Sequence, residues 1–445
     1  MIPPERRTEL QRAIIRSHAA GMGPPVEGEV VRAMMFLRAR SLAMGYSGIR
    51  PHVVEMMLSL LGEGITPVVP EYGSLGASGD LAPLAACALV LIGEGAATAP
   101  DGGHLDGRAA LAAVGAEPVA LTAKEGLALV NGTDGMLGML VLALDDLREL
   151  ARVADVCASM SIEALMGTDR PFAPDLQALR PQHGQSVSAA NLVRLLAGSE
   201  IVASHRVGDD RVQDAYSLRC TPQVHGALRD IIGFAGDIVD RELASAIDNP
   251  MILPDGRIES CGNFHGAPLA QVADYLAVAV ADVGALSERR TDRMLDRNRS
   301  HGLPPFLSPD AGVNSGMMIA QYTQAAIVSE NRRLASPASV DTVPTSALQE
   351  DHVSMGWSAC RKLRRSIANF EMILAVELSC AARALDLRKP LVPAPGTGAA
   401  LHAVRRSVAG PGADRWLAPE LETVRAGLAA RTVTRAVETA GIELG

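Results

Sequence analysis

Apolar positions in the second half of the chain recur with a helical period. Leu269, Val272, Leu276, Val280, Val283 and Leu286 follow one another at spacings of three and four. Leu363, Ile367, Phe370, Leu374, Leu378 and Leu385 do much the same, with Ala381 filling the stripe. A third pattern runs through "MMIAQYTQAAIVSENRRLA", residues 317 to 335. Such spacing puts the apolar side chains on one face of a 3.6-residue helix. It predicts three long helices that pack side by side, as in an elongated multi-helix bundle. The apolar positions are the candidate core. The longest unbroken apolar run, "GMLGMLVLAL" at 135 to 144, stops at Asp145-Asp146 and reads as too short to span a membrane.

Glycine and proline punctuate the pattern at 95 to 107, 181 to 185, 253 to 257, 299 to 312 and 391 to 398. Turn chemistry predicts loops there, with a β-hairpin around Asp255-Gly256. The order of motifs and stripes suggests two parts. Residues 1–198 form an N-terminal part, and residues 199–445 carry the long-helix bundle and the C-terminal helices.

Composition supports helices. Of 445 residues, 48% are hydrophobic but only 3% aromatic, so a core must be built from Ala, Leu, Val, Ile and Met. Those residues favour packed helices over a β-sandwich, and the expected class is all-α. A net charge of -9 argues against a nucleic-acid partner. The six cysteines are widely spaced and form no C-x-x-C pair, which predicts reduced thiols in a cytoplasmic protein. "MIPPERRTEL" shows no apolar leader. No Cys/His ligand cluster points to a metal, and no phosphate-loop fingerprint appears.

The chemistry starts at "EYGSLGASGDLAPLA", residues 71 to 85, a stretch poor in catalytic side chains. A tight turn could press the Gly79 nitrogen onto the Ala77 carbonyl carbon and close a five-membered ring. Glycine tolerates the strained dihedrals this needs. Loss of two waters, one from the ring and one from Ser78, would leave a methylidene-imidazolone (MIO). That group is an electrophile made without an external cofactor. The string "GSLGASGDLAPLA" closely resembles the signature of the aromatic amino-acid ammonia-lyases, which build this group from Ala-Ser-Gly. Further strings agree in chain order: "RSHAAGMG", "KEGLALVNGTDGMLGM", "VQDAYSLRC", "SAIDNP", "GNFHG", "RNRSHGLPPFL" and "QEDHVSMG". Together they resemble the histidine ammonia-lyase branch over nearly the whole chain. The resemblance implies an all-α lyase fold of the fumarase/aspartase-like type. It also implies a homotetramer whose active sites are shared between protomers.

The resemblance distributes roles. Ala77, Ser78 and Gly79 would supply the MIO, and Tyr216 a proton near it. Arg219 would fork onto the substrate carboxylate through two parallel hydrogen bonds. On a helical turn Tyr216 would share the Arg219 face, with Gln213 extending it. Asn131 would hydrogen-bond the prosthetic group and the substrate, and Phe264 would wall the pocket. His18 sits at the family's substrate-selector position. Glu350 could accept a hydrogen bond from an imidazole, and a hydrocarbon ring would leave it unpaired. His18 and Glu350 together favour L-histidine, with urocanate and ammonia as products. Relatives often carry Asn where this chain has Cys261; nothing in the sequence explains the change.

One part of the pattern has no counterpart. Family members carry a Tyr-Gly-x-x-Thr-Gly-Phe-Gly loop upstream, whose tyrosine is assigned as the base for the β-proton. The tyrosines here are Tyr46, Tyr72, Tyr216, Tyr275 and Tyr322. The chain therefore reads as N-terminally truncated relative to the family, with impaired turnover expected. Two other readings stand beside the lyase: a non-catalytic scaffold (pseudoenzyme) with the lyase fold, and an aromatic lyase or aminomutase with another substrate.

Overall fold

The structure, a computed structural model, describes Pro3 and residues 6–445, so the reading of the opening stretch falls partly outside the described residues. Each predicted stripe is one helix: Ala267–Leu295, Met318–Leu334 and Gly356–Leu387. The apolar run at 135 to 144 opens a fourth long helix, Asp134–Ala164, and Thr221–Leu243 is a fifth. The stripe positions Leu269, Leu276, Val280, Phe370, Leu374 and Leu378 are fully buried. Of the six phenylalanines only Phe172 and Phe370 are buried, so aliphatic packing makes the core. Two helical stretches, Glu125–Ala164 and Ala267–Leu295, are apolar and long enough to cross a membrane by composition. Their most apolar windows are 83% and 67% buried within the protein, as core helices are.

The strands are few and short. The hairpin expected at Asp255-Gly256 is present: Met251–Ile252 pairs antiparallel with Ile258–Glu259. Residues 95 to 107, expected as loop, instead carry two strands. Ala96–Thr98 and His104–Asp106 pair with each other, and Thr66–Pro67 completes a three-stranded sheet. The turn residues Asp101-Gly102 lie between these strands. Three residues of strand are too short for an alternating pattern to show in sequence. A third small sheet joins Met22–Pro25 to Pro70–Tyr72. The expected loops at 181 to 185 and 391 to 398 run into helices that start at His183 and Pro395.

The chain packs into two compact units, each gathered from three segments. The first holds residues 1–143, 235–274 and 337–362; the second holds 144–234, 275–336 and 363–445. A boundary at 198/199 follows chain order, whereas this packing interleaves the segments. In the second unit a buried carboxylate ties three helices. Glu377 accepts from Arg290 at 2.9 Å and from the Ser161 hydroxyl at 2.7 Å. Asp155, also buried, accepts from Ser188, Asn191, His225 and Arg229. Burial alone would raise Asp155, but Arg229 and His225 hold it at about 2.

Candidate active site

The first unit carries the Ala-Ser-Gly turn. Residues 76–80 form successive bends between the strand Pro70–Tyr72 and the helix Leu81–Leu91, so no helix runs through Ala77-Ser78-Gly79. Gly76 and Gly79 have φ of +65° and +78°, where only glycine is at ease. A Cβ on Gly79 would stand 2.1 Å from the Gly132 carbonyl oxygen. That oxygen accepts the Asp80 N–H at 2.7 Å, which pulls the end of the turn against the "VNGTDG" segment. Ala77 and Gly79 are buried and Ser78 is half-buried. The turn thus offers what ring closure requires: a glycine nitrogen without Cβ, a small residue at the attacked carbonyl, and a serine hydroxyl to leave. The residues present fit the prosthetic group.

Asp80 anchors the turn. Its carboxylate accepts the Ser74 hydroxyl and the N–H groups of Gly135 and Met136, each at 2.9 Å. The two amides are first-turn donors of the helix Asp134–Ala164, which have no partner within the helix. Burial pushes Asp80 up to about 7, against the pull of these hydrogen bonds.

A strap, residues 345–356, lies on the same turn. Ser78 donates its hydroxyl to Glu350 Oε1 at 3.1 Å, and Thr345 donates to Glu350 Oε2 at 2.7 Å. Thr345 and Glu350 also exchange backbone hydrogen bonds, closing the exposed turn Ser346–Leu348. Further on, the Ser354 hydroxyl donates to the Gly76 carbonyl at 3.0 Å and the Met355 N–H to the Leu75 carbonyl at 2.8 Å. Glu350 is therefore not left unpaired when no imidazole is at hand. The Thr345 hydroxyl holds it whether or not Ser78 keeps its own, a correction to the expectation from sequence.

Asn131 ends the short helix Glu125–Val130 and is 2% exposed. Its amide nitrogen donates to Asp248 Oδ1 at 3.1 Å and to the Asn249 carbonyl at 2.8 Å. Asp248 is held in turn by Lys124 at 2.6 Å. The Asn131 Oδ1 is buried without a partner among the described residues. An orphan acceptor at such a place has use for a donor from a ligand. Cys261 follows the hairpin, its thiol directed at the Asp248 carbonyl at 3.4 Å, and Phe264 is half-buried three residues on.

His18 closes the helix Arg7–His18. Its Nδ1 lies 2.8 Å from the Ile14 carbonyl, which can only accept, so Nδ1 carries the proton. In the neutral ring Nε2 then keeps its lone pair.

Gln213, Tyr216 and Arg219 belong to the second unit. Tyr216–Arg219 is a single helical turn, and the guanidinium lies 4.6 Å from the Tyr216 ring centroid, as the shared face predicts. Arg219 Nε donates to the Asp214 carbonyl at 2.9 Å, leaving the outer nitrogens for a carboxylate. Gln213 does not extend that helical face. It lies exposed in a bend ahead of the turn, because the helix starts only at Tyr216.

Sequence reasoning passed over Asp80, Lys124, Asp248 and Thr345. The first three stand inside motif strings quoted above, but charge and hydroxyl alone gave no reason to pick them out.

Comparison with known proteins gives the family. The profile of the family described as aromatic amino acid lyase matches residues 1–406. A histidine ammonia-lyase of Streptomyces avermitilis is 60% identical over 98% of this chain and 86% of its own length. One of Gloeobacter violaceus is 49% identical over 99% and 85%. Among solved structures, histidine ammonia-lyase of Trypanosoma cruzi matches with a TM-score of 0.92 at 39% identity, over 98% of this chain and 84% of that one. Tyrosine aminomutase of Streptomyces globisporus matches with 0.94 at 39% identity, over 100% and 88%. All of the expected fold class is thus a mostly helical lyase fold. The chain belongs to the aromatic amino acid lyase family, as a carbon–nitrogen lyase of the histidine ammonia-lyase type.

Proposed function

We propose that this chain deaminates L-histidine without oxidation, giving urocanate and ammonia, at a site built on Ala77-Ser78-Gly79. The single observation that carries the reading is the 3.1 Å hydrogen bond from Ser78 to Glu350. It sets the serine of the ring-forming tripeptide beside a carboxylate suited to an imidazole N–H. In the reaction the Cα–N bond breaks, the β-carbon loses a proton and a carbon–carbon double bond forms. The methylidene-imidazolone formed from the tripeptide supplies an electrophile for the amine, which is otherwise a poor leaving group.

The remaining work falls to side chains. Arg219 forks onto the substrate carboxylate, with Tyr216 stacked on it and placed to move a proton. Gln213 adds a polar group on the same segment. Asn131 offers its unpartnered Oδ1 to an N–H donor of the substrate. Glu350 and the His18 Nε2 meet the imidazole, and Phe264 walls it. The site is shared between protomers of a cytoplasmic homotetramer, which accounts for strongly exposed site residues such as Tyr216 in a single chain.

Fold likeness does not separate lyase from mutase, since an aminomutase structure matches as well as a lyase structure. Sequence favours the lyase, with relatives named histidine ammonia-lyase at 60% identity. Nothing in these alignments supports impaired turnover. The test is incubation with L-histidine. Urocanate together with an intact mass lower by two waters supports the reading. A β-amino acid product indicates a mutase, and no conversion a scaffold.

A further inference from the structure

Two histidines that the roles above leave unused stack on each other in the first unit. The rings of His265 and His352 are nearly parallel, 3° apart, with centroids 5.7 Å from one another. His265 Nε2 lies 3.2 Å from the His352 carbonyl. That oxygen can only accept, so Nε2–H donates and the hydrogen bond fixes the tautomer and the tilt of the ring. His265 belongs to the turn that carries Phe264, closed by its own N–H to the Gly262 carbonyl at 3.1 Å. His352 belongs to the strap that carries Glu350.

Each segment is secured at one end by other contacts. The turn is tied at Cys261, whose N–H donates to Asn249 Oδ1 at 2.8 Å. The strap is tied at Val353, whose N–H donates to the Thr342 hydroxyl at 2.8 Å, and at Ser354 and Met355 on the Ala-Ser-Gly turn. Asp351 and His352 lie between Glu350 and those ties and are exposed. The stack is thus a side-chain link between the Phe264 turn and the Glu350 strap. It lies one residue from the first and two from the second. Turn and strap also approach each other nearby, where a Cβ on Gly266 would stand 3.1 Å from Ser354 Oγ.

We propose that the His265–His352 stack is a positioning pair that fixes the spacing between Phe264 and Glu350, and so the width of the imidazole end of the site. The proposal rests on the roles given to those two residues above. Neither histidine touches the substrate; both act through the segments they join.

The test combines hydrogen exchange with kinetics on the full chain. His352→Ala is expected to speed amide exchange at 262–266 as well as at 345–355, and His265→Ala to do the same in both segments. Specificity, kcat/KM for L-histidine, is expected to fall about threefold to tenfold, the usual range for an aromatic pair. The loss should appear mainly in KM, with the mass deficit of two waters retained. The double variant should be no worse than either single one, and His352→Phe, which keeps a stacking ring, should restore both readouts. The proposal is overturned if exchange quickens only in the segment that bears the substitution. It is equally overturned if the single effects add, or if His352→Phe behaves like His352→Ala. If the unaltered chain makes no urocanate, the functional reading fails instead, and exchange alone then decides whether the stack couples the two segments.

Discussion

A single methyl group probes the Ala-Ser-Gly turn. Alanine at position 79 would bring its Cβ to 2.1 Å from a backbone oxygen, at a φ of +78°. Neither the Gly132 carbonyl nor the turn can yield cheaply, and the strained dihedral alone costs roughly 1–3 kcal/mol. Gly79→Ala is expected to lose the two-water mass deficit together with activity, while Ser78→Ala loses both and keeps the fold. Intact mass checks both losses, and a melting curve separates the two cases. Thr345→Val removes the hydroxyl on Glu350 Oε2 but keeps the shape of the side chain. A hydrogen bond to a charged group contributes about 1.5–3 kcal/mol, so kcat/KM for L-histidine should fall about tenfold or more with little change in Tm. Equal turnover would show that Thr345 does not align the carboxylate. Asp80 carries a pH signature. Its folded value, about 7, lies above the ordinary carboxylate value of roughly 4. Between those values the folded chain binds more protons than the unfolded one. The contribution of Asp80 to stability therefore falls as pH rises through this window and is level above about 7. Asp80→Asn mimics the protonated acid and removes that slope. Urea unfolding at pH 5 and pH 7.5 should show the variant gaining on the parent as pH rises; a constant difference would contradict the assignment. At this scale the sequence exposed Ser78 through its string of small residues. It hid the partner, because Glu350 stands 272 residues away and nothing local marks the pair.

At the scale of elements, the long helices were legible because their apolar stripes run for many turns. The same length averages out single exceptions such as the buried Glu377 in Gly356–Leu387. That exception matters for stability. Glu377 joins its helix to Arg290 of Ala267–Leu295 and to Ser161 of Asp134–Ala164. Glu377→Ala would leave the Arg290 charge, itself fully buried, without its counter-ion. Losses on breaking such pairs run to about 3–5 kcal/mol, and denaturant unfolding should show a shift of that size. A change under about 1 kcal/mol would mean that other groups take over the guanidinium. The strands at 96–98 and 104–106 escaped the sequence for the opposite reason, being too short to carry a period. Gln213 was misplaced because spacing alone cannot say where a helix begins. The chain ahead of Tyr216 is a bend, so a residue three positions earlier falls off the helical face.

At the scale of the molecule, the second unit leaves Val207, Val212 and Tyr216 at 93%, 99% and 69% exposed within ten residues of chain. In the proposed tetramer this segment is a candidate surface for another chain to cover. Sedimentation is expected to give a tetramer, and a monodisperse monomer would contradict the shared site. The proposed function places the chemistry on the Ala-Ser-Gly turn and its neighbours. The most direct test of that claim is the rate of urocanate formation from L-histidine, measured for the chain and for Ser78→Ala side by side. Urocanate and ammonia in equal amounts are expected from the first and none above background from the second. Equal rates from the two, or no urocanate from either, would contradict it.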